Sequence, residues 1–297
     1  PDQDFTQHPI ALFNPQENRD ILIVFRSPND VVRGAKGLKV WLSCDQYTIG
    51  DFRQFKTAVD KIVCISPFHQ KYFRDVYGIT DTISIDLPVR VADYDKKVER
   101  VPQRLLFSSV PDRGLQLMPP IWKKIKERFP QAELIITSDY RLWGVGANNE
   151  QHRQAFAYKS GVQFLGAVPR AELIDWQLSS DLMVYPCLYE ELFCIAVAEA
   201  CVAGAYPITT DTGAVKTTNL GLVLPDLQNN AELIEKAFVA FISARLDLTS
   251  ELDAARHVMI RRARARFSPE RILKEWDKEV FGCTDETYYH GHWQTQF

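Results

Sequence analysis

Between Leu192 and Ala203 the chain reads LFCIAVAEACVA, apolar on every side except for one carboxylate, Glu199. A helix apolar all round is a buried helix, and a buried carboxylate is costly unless something hydrogen-bonds or neutralises it. Glu191 stands eight residues earlier, at the mouth of the same run. On one continuous helix that spacing is a rise of about 12 Å and a rotation of roughly 80° between the two acids. Between them the free N–H groups and the positive end of the helix dipole suit a phosphate. A sugar at Glu191, a pyrophosphate at the helix start and ribose hydroxyls at Glu199 would fill such a cradle. The same residues also fit a plain helix whose buried Glu serves a structural hydrogen-bond network.

Other residue types offer less. Asp2 and Asp4, and Asp93 and Asp95, form Asp-x-Asp pairs of the kind that can hold a divalent cation on a diphosphate. One pair lies at the terminus and one in a charged stretch, so both are expected to be chance and no metal is expected. His290 and His292 in YYHGHW read as a surface tail, with an adventitious metal site as the alternative and the Tyr and Trp there packing on something. The six cysteines (44, 64, 187, 194, 201 and 283) form no C-x-x-C pair. They read as small buried hydrophobes in a reducing compartment, which implies cytoplasmic residence.

The elements that must position these groups alternate. Strands are expected at Ile21–Phe25, Leu38–Ser43, Lys61–Ile65 and Thr82–Asp86, with helices at Phe52–Val59 and Pro67–Tyr77. A charged stretch, Ala92–Gln103, reads as a linker. Beyond it come strands at Arg104–Ser109, Glu133–Ser138, Val162–Leu165, Asp181–Tyr185, Tyr206–Thr209 and Leu220–Leu224. Helices are expected at Leu115–Arg128, Glu150–Ser160, Arg170–Leu178, from Leu192, and at Ala231–Arg245, Ser250–Arg266 and Pro269–Phe281. Such alternation means parallel sheets covered by helices. The fold class is therefore α/β, as two Rossmann-like domains facing a cleft, with ligands at the carboxyl ends of the strands. The expected divisions are residues 1–98, 99–268 and a helix and tail at 269–297 that crosses back to the first domain.

Size and charge bound the partners. The 297 residues suffice for two domains, and no apolar stretch approaches the ~20 residues of a membrane span. A formal charge of −3 argues against a general nucleic-acid binder. The basic run HVMIRRARARF (257–267) reads as a solvated helix face, with a surface for an anionic lipid or polymer as the alternative. No signal-peptide pattern opens the chain, which begins at Pro1 without Met and so leaves room for residues upstream.

PCLYEELFCIAVAEACVAGAYPITTDTGA (Pro186–Ala214) resembles the signature of the retaining glycosyltransferases of family four, which have the GT-B fold. Glu191, Phe193 and Glu199 match its pattern of a Glu, a Phe and a second Glu eight after the first. Cys194 stands where Gly is usual, which narrows the space for backbone approach to a ligand. VQFLGAVPRAELIDWQLSSDLMVYP (Val162–Pro186), with Gly166, resembles the strand and loop flanking the nucleobase. RLLFSSVPDRGLQLMPPIWKKI (Arg104–Ile125), with Ser109, resembles the opening of the nucleotide domain. The resemblance implies a nucleotide-sugar donor, a uridine one by mild preference, no required cofactor, and a hydroxyl acceptor such as a glycan or lipid-linked saccharide. It gives Glu191 the sugar hydroxyls and Glu199 the ribose. The N–H groups of Phe193, Cys194 and Ile195 would face sugar and phosphates, and Arg113 would pair with the pyrophosphate. A second Arg common in the family is replaced by Ser108.

Alternatives stay open at several of these positions. The alternative for Arg113 is a surface ion pair with Asp112 or Asp139. VWLSCDQYT (Val40–Thr48) resembles a cleft-facing loop that often carries His-Asp, making Asp45 a contact to the donor sugar or acceptor hydroxyl, or else a helix cap. Ser66 is a cap or a ligand contact, and His69 is expected to be solvated. The first domain is shorter than is usual in the family. Alternatives for the whole chain are a GT-B module that binds nucleotide or glycan without turnover, and a sugar-nucleotide epimerase.

Overall fold

The computed structural model describes residues 6–143, 150–157, 159–225 and 227–283. Asp2, Asp4, His290 and His292 lie outside them. The chain forms two compact units. The first runs to Ile85 and resumes at Glu275, and the second is Asp86–Lys274.

The first unit holds a parallel sheet of β1 (Ile21–Phe25), β2 (Leu38–Leu42), β3 (Lys61–Cys64) and β4 (Ile83–Ser84), in the order β1-β2-β3-β4. Winding that never reverses direction, with right-handed crossovers, places every connection on one face. Val24, Trp41 and Ile62 stand in register across three strands on that face. They share a core with Phe52 and Phe55 of α1 (Phe52–Phe55) and Phe73, which follows α2 (Pro67–Tyr72). Trp41 meets Phe52, Phe55 and Phe73 with ring centroids 4.9, 5.2 and 5.5 Å away. The opposite face is covered over β3 by the returning chain, where Lys61 Nζ donates to the Glu279 carbonyl at 2.8 Å. Over β1 it is bare: Ile21, Ile23 and Phe25 are exposed. One-way winding supplies no helix for that side.

The second unit holds β5 (Val101–Phe107), β6 (Glu133–Ile136), β7 (Val162–Phe164), β8 (Ser180–Tyr185), β9 (Tyr206–Thr210) and β10 (Leu222–Leu224), all parallel. Their order, β10-β9-β8-β5-β6-β7, is the doubly wound order of a dinucleotide-binding sheet. The order reverses between β5 and β8, so the crevice at the carboxyl ends of these two strands is where a ligand is expected. Around the sheet run α3 (Met118–Arg128), α4 (Glu150–Phe156), α5 (Arg170–Ser179), α6 (Ile195–Ala203), α7 (Val215–Thr218), α8 (Ala231–Asp247) and α9 (Thr249–Phe267). Then α10 (Pro269–Glu275) leads back to the first unit. Among the described residues no helix is long and apolar enough to cross a membrane.

Three expectations are corrected here. The stretch Ala92–Gln103 is no linker: Tyr94 is buried, its hydroxyl donates to Gln177 at 2.8 Å, and β5 begins at Val101. The basic run on α9 is only partly solvated, because Arg264 pairs with Asp95 and Arg266 with Asp86. Arg256, one residue before that run, is buried and binds Asp181 at 2.9 Å and the Gly204 carbonyl at 2.9 Å, tying α9 to β8 and the end of α6. His69 is fully buried rather than solvated.

His69 Nδ1 accepts the Ile65 N–H at 3.2 Å, and burial pulls its pKa from 6.5 to about 3. The folded state therefore refuses a proton that the unfolded chain takes up below pH 6.5. The stability contribution is complete above pH 6.5 and is lost as pH falls toward 3. From pH 7 to 5 this group should cost on the order of 2 kcal/mol of unfolding free energy. Urea melts at both pH values check this, and an equal loss in His69→Gln would contradict it.

Candidate functional site

At the reversal point a cavity of about 370 Å³ opens, lined among others by Ser109, Arg113, Arg170, Glu191, Ile195 and Glu199. Five of these were singled out from sequence. Ser109 and Arg113 arrive on the loop after β5, Glu191 on the loop after β8, and Ile195 and Glu199 on the helix α6 that this second loop leads into. The loops touch where Gly114, at φ +99°, passes so close to the Pro186 carbonyl that a Cβ would lie 2.2 Å from its oxygen. A second close approach fixes the acid itself. Ala214 N–H donates to the Glu191 carbonyl at 2.7 Å, and a Cβ on Gly213 (φ +61°) would stand 2.7 Å from the Glu191 backbone N and O. Only glycine allows either contact.

The helix starts later than its apolar run suggests. α6 begins at Ile195, and Cys194 before it takes a left-handed conformation at φ +69° with no side-chain cap. Glu191 thus sits on the loop rather than on the helix, and the 12 Å helical rise does not apply. The first-turn N–H groups of Ile195 and Ala196 have no intrahelical acceptor by construction of a helix start, and both residues line the cavity. Phe193 and Cys194 do not line it. Phe193 is buried edge-on against Phe267, with centroids 5.9 Å apart. The Cys194 side chain is buried too, and burial pushes its thiol well above the ordinary range. Cys194 contributes no side chain to the cavity lining. It occupies a conformation that glycine adopts freely, at a cost of about 1–2 kcal/mol.

Both acids are paired. Glu191 Oε1 accepts Arg113 Nε at 2.7 Å and the Tyr185 hydroxyl at 3.0 Å. The Arg113 guanidinium lies 3.6 Å from the Tyr189 ring centroid. Arg113 is thus a part-buried partner of Glu191, while Asp112 accepts from Tyr140 and Asp139 from Arg141. Glu199 Oε1 accepts Arg170 at 2.5 Å and Oε2 accepts Gln177 at 3.3 Å. The Tyr94 hydroxyl joins this group through Gln177, and burial raises its pKa further above 10. Gly166 lies behind Asp139, whose carboxylate would be 3.2 Å from a Cβ there. Its neighbours Ala167 and Val168 line the cavity.

Sequence reasoning missed Arg170, Gln177, Tyr94, Tyr185 and Tyr189. One signal was available: Arg170 and Gln177 are seven apart, on one face of α5, and Glu199 demanded a partner. Ser108 is buried; the cavity's other guanidinium belongs to Arg170.

In the first unit Arg26 holds Asp45 by two bonds of 2.8 and 2.7 Å. Asp45 is not a helix cap; Asp51 caps α1. Beside it burial raises the Cys44 thiol to about 11. Ser66 caps α2 by accepting the His69 N–H. Asp93 pairs with Arg90 and Asp95 with Arg264, and no group of metal-ligating side chains occurs among the described residues.

Residues 104–240 match the family model of glycosyl transferases group 1. No curated protein sequence matches the chain. Similar solved structures include the pneumococcal O-GlcNAc transferase GtfA in complex with UDP and GlcNAc, at 16% identity over 83% of this chain and TM-score 0.62. This chain spans only 53% of that one. Anabaena Alr3699/HepE in complex with UDP and glucose aligns at 14% identity over 84% of this chain and 73% of its own, with TM-score 0.65. Sucrose-phosphate synthase from Thermosynechococcus elongatus gives 16% identity, 84% and 69% coverage and TM-score 0.58. The fold is GT-B.

Gly213→Ala tests how the loop carrying Glu191 is held. Its Cβ would overlap the Glu191 backbone, so stability should fall by about 1–3 kcal/mol. A thermal melt identical to wild type would show that the loop is not fixed there.

Proposed function

We propose that the chain is a retaining glycosyltransferase that moves a sugar from a nucleotide-sugar donor, with uridine preferred, to a hydroxyl of a glycan or lipid-linked saccharide. One observation carries this reading. A single cavity at the reversal point of a dinucleotide-type sheet is lined by Glu191, Glu199, Arg113 and an uncapped helix start. Those groups match the parts of a nucleotide sugar: hydroxyls for carboxylates, and a diphosphate for the helix N–H groups and the guanidinium.

In this reading Glu199 receives the ribose hydroxyls, with Arg170 and Gln177 holding its carboxylate in place. Ile195 and Ala196 N–H groups receive the phosphates, and Arg113 neutralises charge as the diphosphate leaves. The acceptor hydroxyl attacks from the face the diphosphate leaves, so the departing phosphate can take its proton. No protein carboxylate is then required as base, and Asp45, held by Arg26, is assigned an orienting role toward a hydroxyl. Charge on the phosphates is met by the helix start and Arg113, so no metal is required. That the similar GtfA structure holds UDP and GlcNAc and the HepE structure UDP and glucose supports a uridine donor. We place the enzyme in the cytoplasm, on its free cysteines.

The test is release of nucleoside diphosphate from a panel of sugar nucleotides in chelator, with Glu199→Gln alongside. Turnover should persist in chelator, and the variant should bind nucleotide about 1–3 kcal/mol more weakly while keeping its melting temperature. Binding without any turnover would favour a non-catalytic binding module. An inverted anomeric product, read by proton NMR coupling, would reject the retaining assignment.

A further inference from the structure

Arg113 is already engaged by a partner within the chain. Its Nε donates to Glu191 Oε1 at 2.7 Å, with the two side chains only 13% and 18% exposed, and its guanidinium lies against the Tyr189 ring. The Tyr185 hydroxyl bonds the same carboxylate oxygen, and burial keeps that hydroxyl protonated, so it donates and does not compete for Arg113. Tyr189 and Tyr185 thus hold the two partners from either end.

We infer that Glu191 is the site's resident anion, a competitor for Arg113 that makes the cavity prefer a sugar-bearing nucleotide over a bare nucleoside diphosphate; this rests on the nucleotide-sugar reading above.

Binding here is an exchange of partners. A diphosphate that takes Arg113 leaves Glu191 in a half-buried place with one hydrogen bond fewer, a cost charged to the ligand. A donor carrying a sugar repays it, because its hydroxyls donate to the carboxylate that Arg113 has released. A spent diphosphate offers no such donor. Glu191 can then recapture Arg113 and favour release of the product. Specificity arises here from an unpaired charge raised against the wrong ligand. Tyr185 keeps the carboxylate in place through the exchange, and Tyr189 keeps the guanidinium near; both are positioning residues.

The sign of one measurement separates this from simple sugar contact. Calorimetric titration of UDP, with ADP and GDP alongside, is run on wild type, Glu191→Gln, Arg113→Gln and the double variant. Glu191→Gln keeps the shape and the Tyr185 bond but removes the charge that holds Arg113. It should tighten UDP about three- to tenfold. In the Arg113→Gln background the same change should do nothing. The preference for UDP-sugar over UDP should shrink in Glu191→Gln. Glu191→Asp, which keeps the charge on a shorter arm, guards against a folding artefact and should tighten UDP by less.

Unchanged or weakened UDP binding in Glu191→Gln, with wild type binding UDP, overturns this inference alone. Tightening that persists without Arg113 also overturns it. If wild type binds none of the three nucleotides, the nucleotide-sugar reading fails first and this inference with it.

Discussion

The site depends on a helix that has nowhere to go but inward. From Val197 to Ala203 every residue of α6 is buried, and its one polar side chain, Glu199, is held by Arg170 and Gln177. Burying such a helix beside the sheet's reversal point fixes its first turn at the carboxyl ends of β5 and β8. No side chain caps that turn, so its N–H groups face the cavity. The glycines at 114 and 213 then let the two flanking loops close to contact distance, which brings Arg113 and Glu191 together.

A second constraint is that both cavity acids already have cationic partners. A carboxylate taken from water needs hydrogen bonds, and here each has an arginine and a second donor. A ligand that takes either arginine would trade partners with the carboxylate, its net affinity being the difference between two sets of charge-assisted bonds. The same rule operates away from the site, at Arg256 with Asp181.

The alternation of strands and helices was legible because apolar runs such as ILIVF and ELII are short, β-branched and separated by amphipathic stretches. Every strand expected from the sequence is present. Less local features were hidden. The start of α6 was misplaced because Leu192 and Phe193 continue the apolar run, and nothing in the residue type of Cys194 announces a left-handed turn. Pairs such as Arg170 with Glu199 and Arg113 with Glu191 join residues 29 and 78 apart in sequence, so periodicity cannot reveal them. Tyr94 was hidden inside a charged stretch, although one aromatic among charges is a reason to look for a core. His69 followed Ser66-Pro67 at a helix start and looked exposed. Its burial depends on the neighbouring strand end and Phe73, which packs edge-on at 4.6 Å. The exposed face of β1 follows from topology, which no local pattern in ILIVF discloses.

The central claim is that the cavity between the β5 and β8 loops is where a nucleotide sugar binds. A crystal structure with UDP-glucose tests it most directly. The account predicts the diphosphate on the N–H groups of Ile195 and Ala196, Arg113 moved from Glu191 to a phosphate, and the ribose hydroxyls at Glu199. A nucleotide bound elsewhere, with the Arg113–Glu191 pair intact and this cavity empty, would contradict it.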